Sequence, residues 1–206
     1  MAETGTQQKI LEAATAIFAQ EGFRGARMRQ IADLAGVNQA LLHYYFRSKE
    51  NLYGEVLSRF FTDVFSSLAH SLTTQADPES AFRSFIDTYI DILSSNPTFP
   101  RLMVSEILEG GRHLMAVVDR IFSETGLSPP GLVVPFVNDA IKKNLIRPVD
   151  PVQTSISVVG MCMFYFIAKP FVEHIWGKPE NEPEFIRQRK EAIADLVLYG
   201  VIKRQE

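Results

Sequence analysis

The chain has 206 residues, 46% of them apolar and 22% charged, with a formal net charge of −3. These proportions are close to those of soluble globular proteins and exclude global disorder, and the small negative charge gives no whole-chain sign of a nucleic-acid partner. Cys162 is the one cysteine, which excludes an intramolecular disulfide, and the longest apolar stretch, residues 156–168, falls short of the roughly 20 that cross a bilayer.

The opening MAETGTQQK lacks the basic-then-apolar order of a secretion signal, so a cytoplasmic protein without a membrane partner is expected. Helical periodicity then dominates. Ile10, Ala13, Ala14, Ile17 and Phe18 recur on one face of a first helix, which Gly22 ends. Ile31, Leu34 and Ala35 mark a short second helix stopped by Gly36. Asn38 is a suitable N-cap for a third, over about 39–46. Ser48 caps a long fourth helix, with Glu50 in its first turn and Leu52, Val56, Phe60, Val64, Leu68 and Leu72 at steps of four. Polar-residue and proline pairs at Asp77-Pro78, Asn96-Pro97, Asp150-Pro151 and Glu182-Pro183, and Pro129-Pro130, read as further helix starts. They predict helices near 78–95, 98–109, 112–125, 131–143, 151–173 and 183–203. The fold class is all-α, with an N-terminal three-helix helix-turn-helix domain at 1–50 and a larger C-terminal helical bundle at 51–206.

Residues 22–49 stand apart electrostatically. Arg24, Arg27, Arg29, Arg47 and Lys49 face one acid, Asp33, a local balance of +4 in a chain that is negative overall. Two short helices joined at Gly36 describe a helix-turn-helix whose second helix enters the major groove of double-stranded DNA. Gln39 can bond an adenine edge in a bidentate way, Ala40 permits close approach, and Leu41 can meet a thymine methyl. His43, Tyr44 and Tyr45 offer polar ring groups to phosphates, and Lys49 stands beside the backbone. Leu42 and Phe46 belong to the core, because the helix must pack somewhere.

The residues Ile31-Ala32, Ala35-Gly36-Val37, Leu42, Tyr45-Phe46, Ser48-Lys49-Glu50 and Leu52, preceded by ILEAATAIFAQEGF at 10–23, resemble the DNA-binding domain of the tetracycline-repressor (TetR) family. The resemblance covers about the first 55 residues. It implies that Arg29 touches DNA from the start of the second helix. Gln39, Ala40, Leu41, His43 and Tyr44 would face the groove, while Tyr45 and Lys49 hold phosphates. Two positions depart from the family pattern. Met28 replaces a threonine that caps the second helix and bonds phosphate, leaving Arg27 or Arg29 to compensate. His43 replaces a phosphate-contacting tyrosine.

Beyond residue 56 the chain is rich in Phe, Met and Tyr. At helical spacing such residues are core first, but bundles also bind ligands in apolar and aromatic pockets. The resemblance makes this region a sensor whose effector moves two DNA-reading heads apart. Phe61, Phe65, Phe85, Tyr89, Met103, Phe122, Phe164 and Tyr165 are the candidate lining residues for a small apolar or aromatic effector. The helix around 158–167 is apolar nearly all round and must be covered on several sides. Ile186, Ile193, Leu196, Val197 and Val201 stripe the last helix. In the resembled family this pair meets its twin in a four-helix homodimer interface, which suits a palindromic operator.

Other chemistry is thinly represented. Asp87 with Asp91, and Glu106 with Glu109 and His113, suggest shared faces, but Gly110-Gly111 interrupts the second group and no HxxxH or CxxC pattern supports a metal. Cys162, set among Met161, Met163 and Phe164, reads as inert packing rather than a redox sensor. There is no phosphate-binding glycine loop, nucleophile elbow or clustered triad, so neither enzyme activity nor a cofactor is expected. The reading is a ligand-responsive homodimeric repressor; the alternatives are an activator or a ligand-independent DNA-binding protein of the same fold.

Overall fold

The computed structural model describes residues 2–126 and 128–201, and among them are ten α-helices and no β-strand. In chain order these are α1 Ala2–Gly25, α2 Met28–Ala35, α3 Gln39–Phe46, α4 Lys49–Thr73, α5 Pro78–Ser95, α6 Thr98–Leu108, α7 Arg112–Thr125, α8 Pro129–Lys142, α9 Pro151–Trp176 and α10 Glu182–Val201. The all-α class is borne out. The predicted end of the last helix, residues 202–203, lies outside the described residues.

Local chemistry accounts for most helix starts. Side-chain oxygens of Asp77, Ser128 and Asp150 accept from the backbone N–H three residues on, at 2.9, 3.0 and 2.8 Å. Each satisfies a helix N–H that has no carbonyl behind it. The bonds from the Ser80 N–H and hydroxyl hold the Asp77 carboxyl below its ordinary range. Proline occupies an early position in α5, α8 and α9, where its missing N–H costs nothing.

At Gly22 the helical path stops as expected: its φ of 69° and ψ of 176° are non-helical, and α1 is two helical pieces meeting there at a kink. Two expectations need correction. Leu34 lies on the predicted apolar stripe of α2 yet is exposed, because eight residues give that helix only a narrow buried face at Ile31 and Ala32. The apolar helix α9 runs to Trp176 through Pro170, and by length and composition it is sufficient to cross a membrane.

The described residues form two compact units. The first comprises 2–63 and 97–125. Here α1 packs on α2 and α6, α2 on α3, and α6 on α7. Ile10, Phe18, Ile31, Leu42, Leu52 and Tyr53 are fully buried at its centre. The rings of Phe18 and Tyr53 lie 4.6 Å apart, and those of Phe61 and Phe99 5.5 Å apart.

The second unit comprises the described residues of 64–96 and 126–201. In it α5 packs on α9 and α10, and α9 on α8 and α10. Ile86, Ile90, Leu93, Ile146 and Cys162 form its interior, and the rings of Phe82 and Phe136 meet edge-on at 5.8 Å. Lys190 pairs with Asp91 at 2.6 Å and Arg83 with Asp195 at 3.6 Å, fastening α10 to α5 at the rim.

Candidate nucleic-acid interface

The turn between α2 and α3 is built by two residues with opposite demands. Gly36 takes the left-handed conformation, φ 67°, and its N–H and that of Val37 close the end of α2 on Asp33 and Ala32 carbonyls. A left-handed residue here favours glycine, since a Cβ would crowd the following carbonyl. Asn38 then caps α3, its Oδ1 accepting from Leu41 N–H at 2.7 Å. Leu42 and Phe46 are buried and anchor α3 on one side, as expected for core positions.

That anchoring decides what the other side offers. Gln39, Ala40 and His43 are exposed, Tyr44 is 72% exposed, and Leu41 and Tyr45 are half-buried. The first turn and outer face of α3 thus carry the residue types that read base edges. His43 Nδ1 lies 3.1 Å from the Arg47 carbonyl, an acceptor, so this nitrogen donates and Nε2 remains for another partner. Tyr44 and Tyr45 rings meet edge-on at 5.4 Å.

At α2, the residue with capping geometry is Arg27, not Met28. A guanidinium only donates, so it cannot accept from the helix. Gln30 supplies the bond that forms, its Oε1 accepting Arg27 N–H at 2.9 Å, while its Nε2 donates to Glu21 at 3.0 Å. Both Arg27 and Arg29 remain exposed, with Arg29 only 3.9 Å from Asp33 in a loose surface pair. Lys49 is more restrained. Its Nζ donates to the Arg24 carbonyl at 3.4 Å and lies 4.6 Å over the Phe23 ring. Arg24 and Arg47 contribute to the local positive charge without being among the expected contacts. Both are exposed beside the same surface elements, and Arg47 holds a positive φ of 61° at the α3–α4 junction.

The eight pocket candidates are distributed over both units. Phe61, Met103 and Phe122 belong to the first unit, and Phe65, Phe85, Tyr89, Phe164 and Tyr165 to the second. Phe61, Tyr89 and Tyr165 are buried, whereas Phe164 is 58% exposed on the outer face of α9 and is not an interior residue of this chain. Within the first unit a cleft of about 580 Å³ is lined by Tyr45, Arg47, Glu50, Asn51, His113 and Arg120 among others. Its charged walls differ from the aromatic lining expected for an effector pocket.

The residues weighed for a metal are otherwise engaged. Glu106 bonds His113 and the Leu114 N–H, Glu109 pairs with Arg24, and Asp91 with Lys190. Burial raises the Asp87 carboxyl above its ordinary range, an effect that nearby Lys190 opposes. Cys162 is fully buried, and burial pushes its thiol up to about 12.

A capped helix anchored by Leu42 and Phe46, presenting an exposed polar face in a locally basic segment, defines a helix-turn-helix DNA-binding regulator. Comparison with known proteins agrees. Residues 10–56 match the model for bacterial regulatory proteins of the tetR family, and residues 78–197 match a tetracyclin repressor-like C-terminal domain. The chain belongs to the TetR family of transcriptional regulators. It is 29% identical over 203 residues to the HTH-type transcriptional regulator RutR of Escherichia coli K12, covering 98% of this chain and 93% of RutR. It is 30% identical over 162 residues to the HTH-type transcriptional repressor NicS of Pseudomonas putida, covering 78% of this chain and 75% of NicS. The TetR-family regulator PfmR of Thermus thermophilus shares the fold at a TM-score of 0.69 and 22% identity, covering 95% of this chain and 99% of that one.

Proposed function

We propose that this regulator is a repressor that binds a palindromic operator as a homodimer and leaves it when a small apolar or aromatic molecule occupies its C-terminal region. Residues 1–50 then act as the reading head and 51–206 as the effector-binding and dimerising part. The observation that carries DNA reading is the exposed face of α3, where Gln39, Ala40 and Tyr44 project from a helix anchored by buried Leu42 and Phe46. Arg27, Arg29, Tyr45 and Lys49 supply the flanking phosphate contacts. The role of its relative NicS as a transcriptional repressor supports the same direction of action.

Dimerisation is supported by α9. Ile156, Phe164, Ile167, Phe171 and Ile175 are exposed along one side of it, and Leu196 and Tyr199 are exposed on α10. A contiguous apolar face of this kind is uncovered in the monomer, and a second copy covers it without a membrane. With the family it belongs to, this makes a cytoplasmic dimer the reading of α9. An effector pocket in the second unit is supported by polar groups set into its interior. The Tyr165 hydroxyl and Arg189 Nε are buried without a hydrogen-bond partner among the described residues. Ligand sites combine apolar walls with a few such groups.

Fluorescence anisotropy with the DNA upstream of its own gene, titrated at several salt concentrations, tests the repressor reading. Specific binding in the range of about 10⁻⁸ M or tighter, with a steep negative salt slope, is the expected result. Affinity equal to that for random DNA at every salt concentration contradicts that stretch as the operator. Release of bound DNA by apolar compounds is expected on screening, and binding insensitive to all of them contradicts the effector.

A further inference from the structure

The corner between α6 and α7 holds a buried carboxylate that is not among the expected DNA contacts. Glu106, near the end of α6, is 1% exposed. One of its oxygens lies 3.0 Å from His113 Nδ1, and the other accepts from Leu114 N–H at 3.0 Å. The second bond makes Glu106 a remote cap for the first turn of α7, where unpaired N–H groups favour an anion. Arg112 Nη2 lies 3.2 Å from His113 Nε2, and a guanidinium only donates, so Nε2 accepts and Nδ1 carries the proton offered to Glu106. Both carboxylate oxygens and both ring nitrogens are therefore engaged, and the imidazole is fixed in place and orientation.

The fixed imidazole supports the reading head. Its centroid is 4.2 Å from that of Phe23 and 5.3 Å from that of Tyr53. Phe23 in turn lies under the Lys49 ammonium, 4.6 Å away, and Lys49 also donates to the Arg24 carbonyl. The same seam is tightened on either side. A Cβ at Gly22 would stand 2.8 Å from Ser105 Oγ, and Arg24 pairs with Glu109 at 3.7 Å. Glu106, His113, Phe23 and Lys49 thus form a continuous series of contacts within one compact unit.

We propose that Glu106 is a positioning residue for operator binding: through His113 and Phe23 it fixes where Lys49 presents its ammonium to a DNA phosphate. A free lysine loses considerable rotamer entropy when it is ordered. A lysine already held over an aromatic ring has lost much of that freedom before DNA arrives. The proposal rests on the reading of Lys49 as a phosphate contact.

The test is operator affinity of the full chain as a function of salt for Lys49→Ala, Glu106→Gln and the double variant, with a thermal melt of each. Glu106→Gln keeps the shape but turns an NH₂ toward one of two donors. Lys49→Ala is expected to lower the salt slope by about 0.9 per protomer, equivalent to a roughly fivefold loss per protomer at about 0.15 M salt. Glu106→Gln is expected to match both changes, and the double variant to lose nothing further. A full slope in Glu106→Gln, or losses that add in the double variant, overturns the proposal while leaving Lys49 as a contact. A full slope in Lys49→Ala removes the phosphate reading and the proposal together. Should Glu106→Gln melt below the assay temperature, Phe23→Leu is read in the same way, and a full slope there also overturns it.

Discussion

Gln39 and Tyr44 are exposed on α3 and so contribute little to packing, which separates their proposed part in DNA reading from any part in stability. Gln39→Ala and Tyr44→Ala are each expected to weaken operator binding by about 1–3 kcal/mol while changing unfolding free energy by less than about 0.5 kcal/mol. Anisotropy titrations beside calorimetric melts check this, and unaltered affinity in both variants would remove α3 from the groove. Cys162 makes the opposite case. Fully buried, with its thiol raised by burial, it presents almost no thiolate near neutral pH. Native protein is therefore expected to react with a thiol reagent far more slowly than protein unfolded in denaturant at the same pH; comparable rates would refute inert packing. Both residues were legible in the sequence, Gln39 from its place after an N-cap and Cys162 from its apolar neighbours. The tie between Glu106 and Lys49 was not, since nothing near either residue in the chain refers to the other.

Among the elements, helix starts were the most legible because their chemistry lies within three or four residues. Asp77, Ser128 and Asp150 each satisfy a backbone N–H three positions on. Breaks inside helices were less so. Pro170 forfeits one backbone bond, yet α9 continues past it, because a helix of 26 residues keeps its bonds on both sides. Gly22 shows the converse, where a break is required by what lies against it. Its φ of 69° and ψ of 176° fall in a region that is essentially reserved for glycine, and a Cβ there would stand 2.8 Å from Ser105 Oγ, which would have to shift. Gly22→Ala is expected to cost about 1–3 kcal/mol and lower Tm by several degrees. A melt within one degree of the parent would show that the bend relaxes freely.

For the whole molecule, the largest unsatisfied demand is the apolar side of α9, of whose most apolar window only 22% is buried in the chain. Phe171→Glu places a charge on that side and is expected to convert a dimer into a monomer at micromolar concentration, read by light scattering. A parent protein that is already monomeric would refute the dimer. Sequence alone determined the helices, their caps and the helix-turn-helix, because period, capping and turn conformation are properties of neighbouring residues. It also named the aromatic residues of the bundle, but not their roles: only packing separated buried Tyr89 and Tyr165 from exposed Phe164. The tertiary structure likewise decided that α6 and α7 pack with the reading head, bringing Glu106 and His113 to Phe23. Contacts between segments so far apart in the chain depend on how helix faces interlock, which no local pattern encodes.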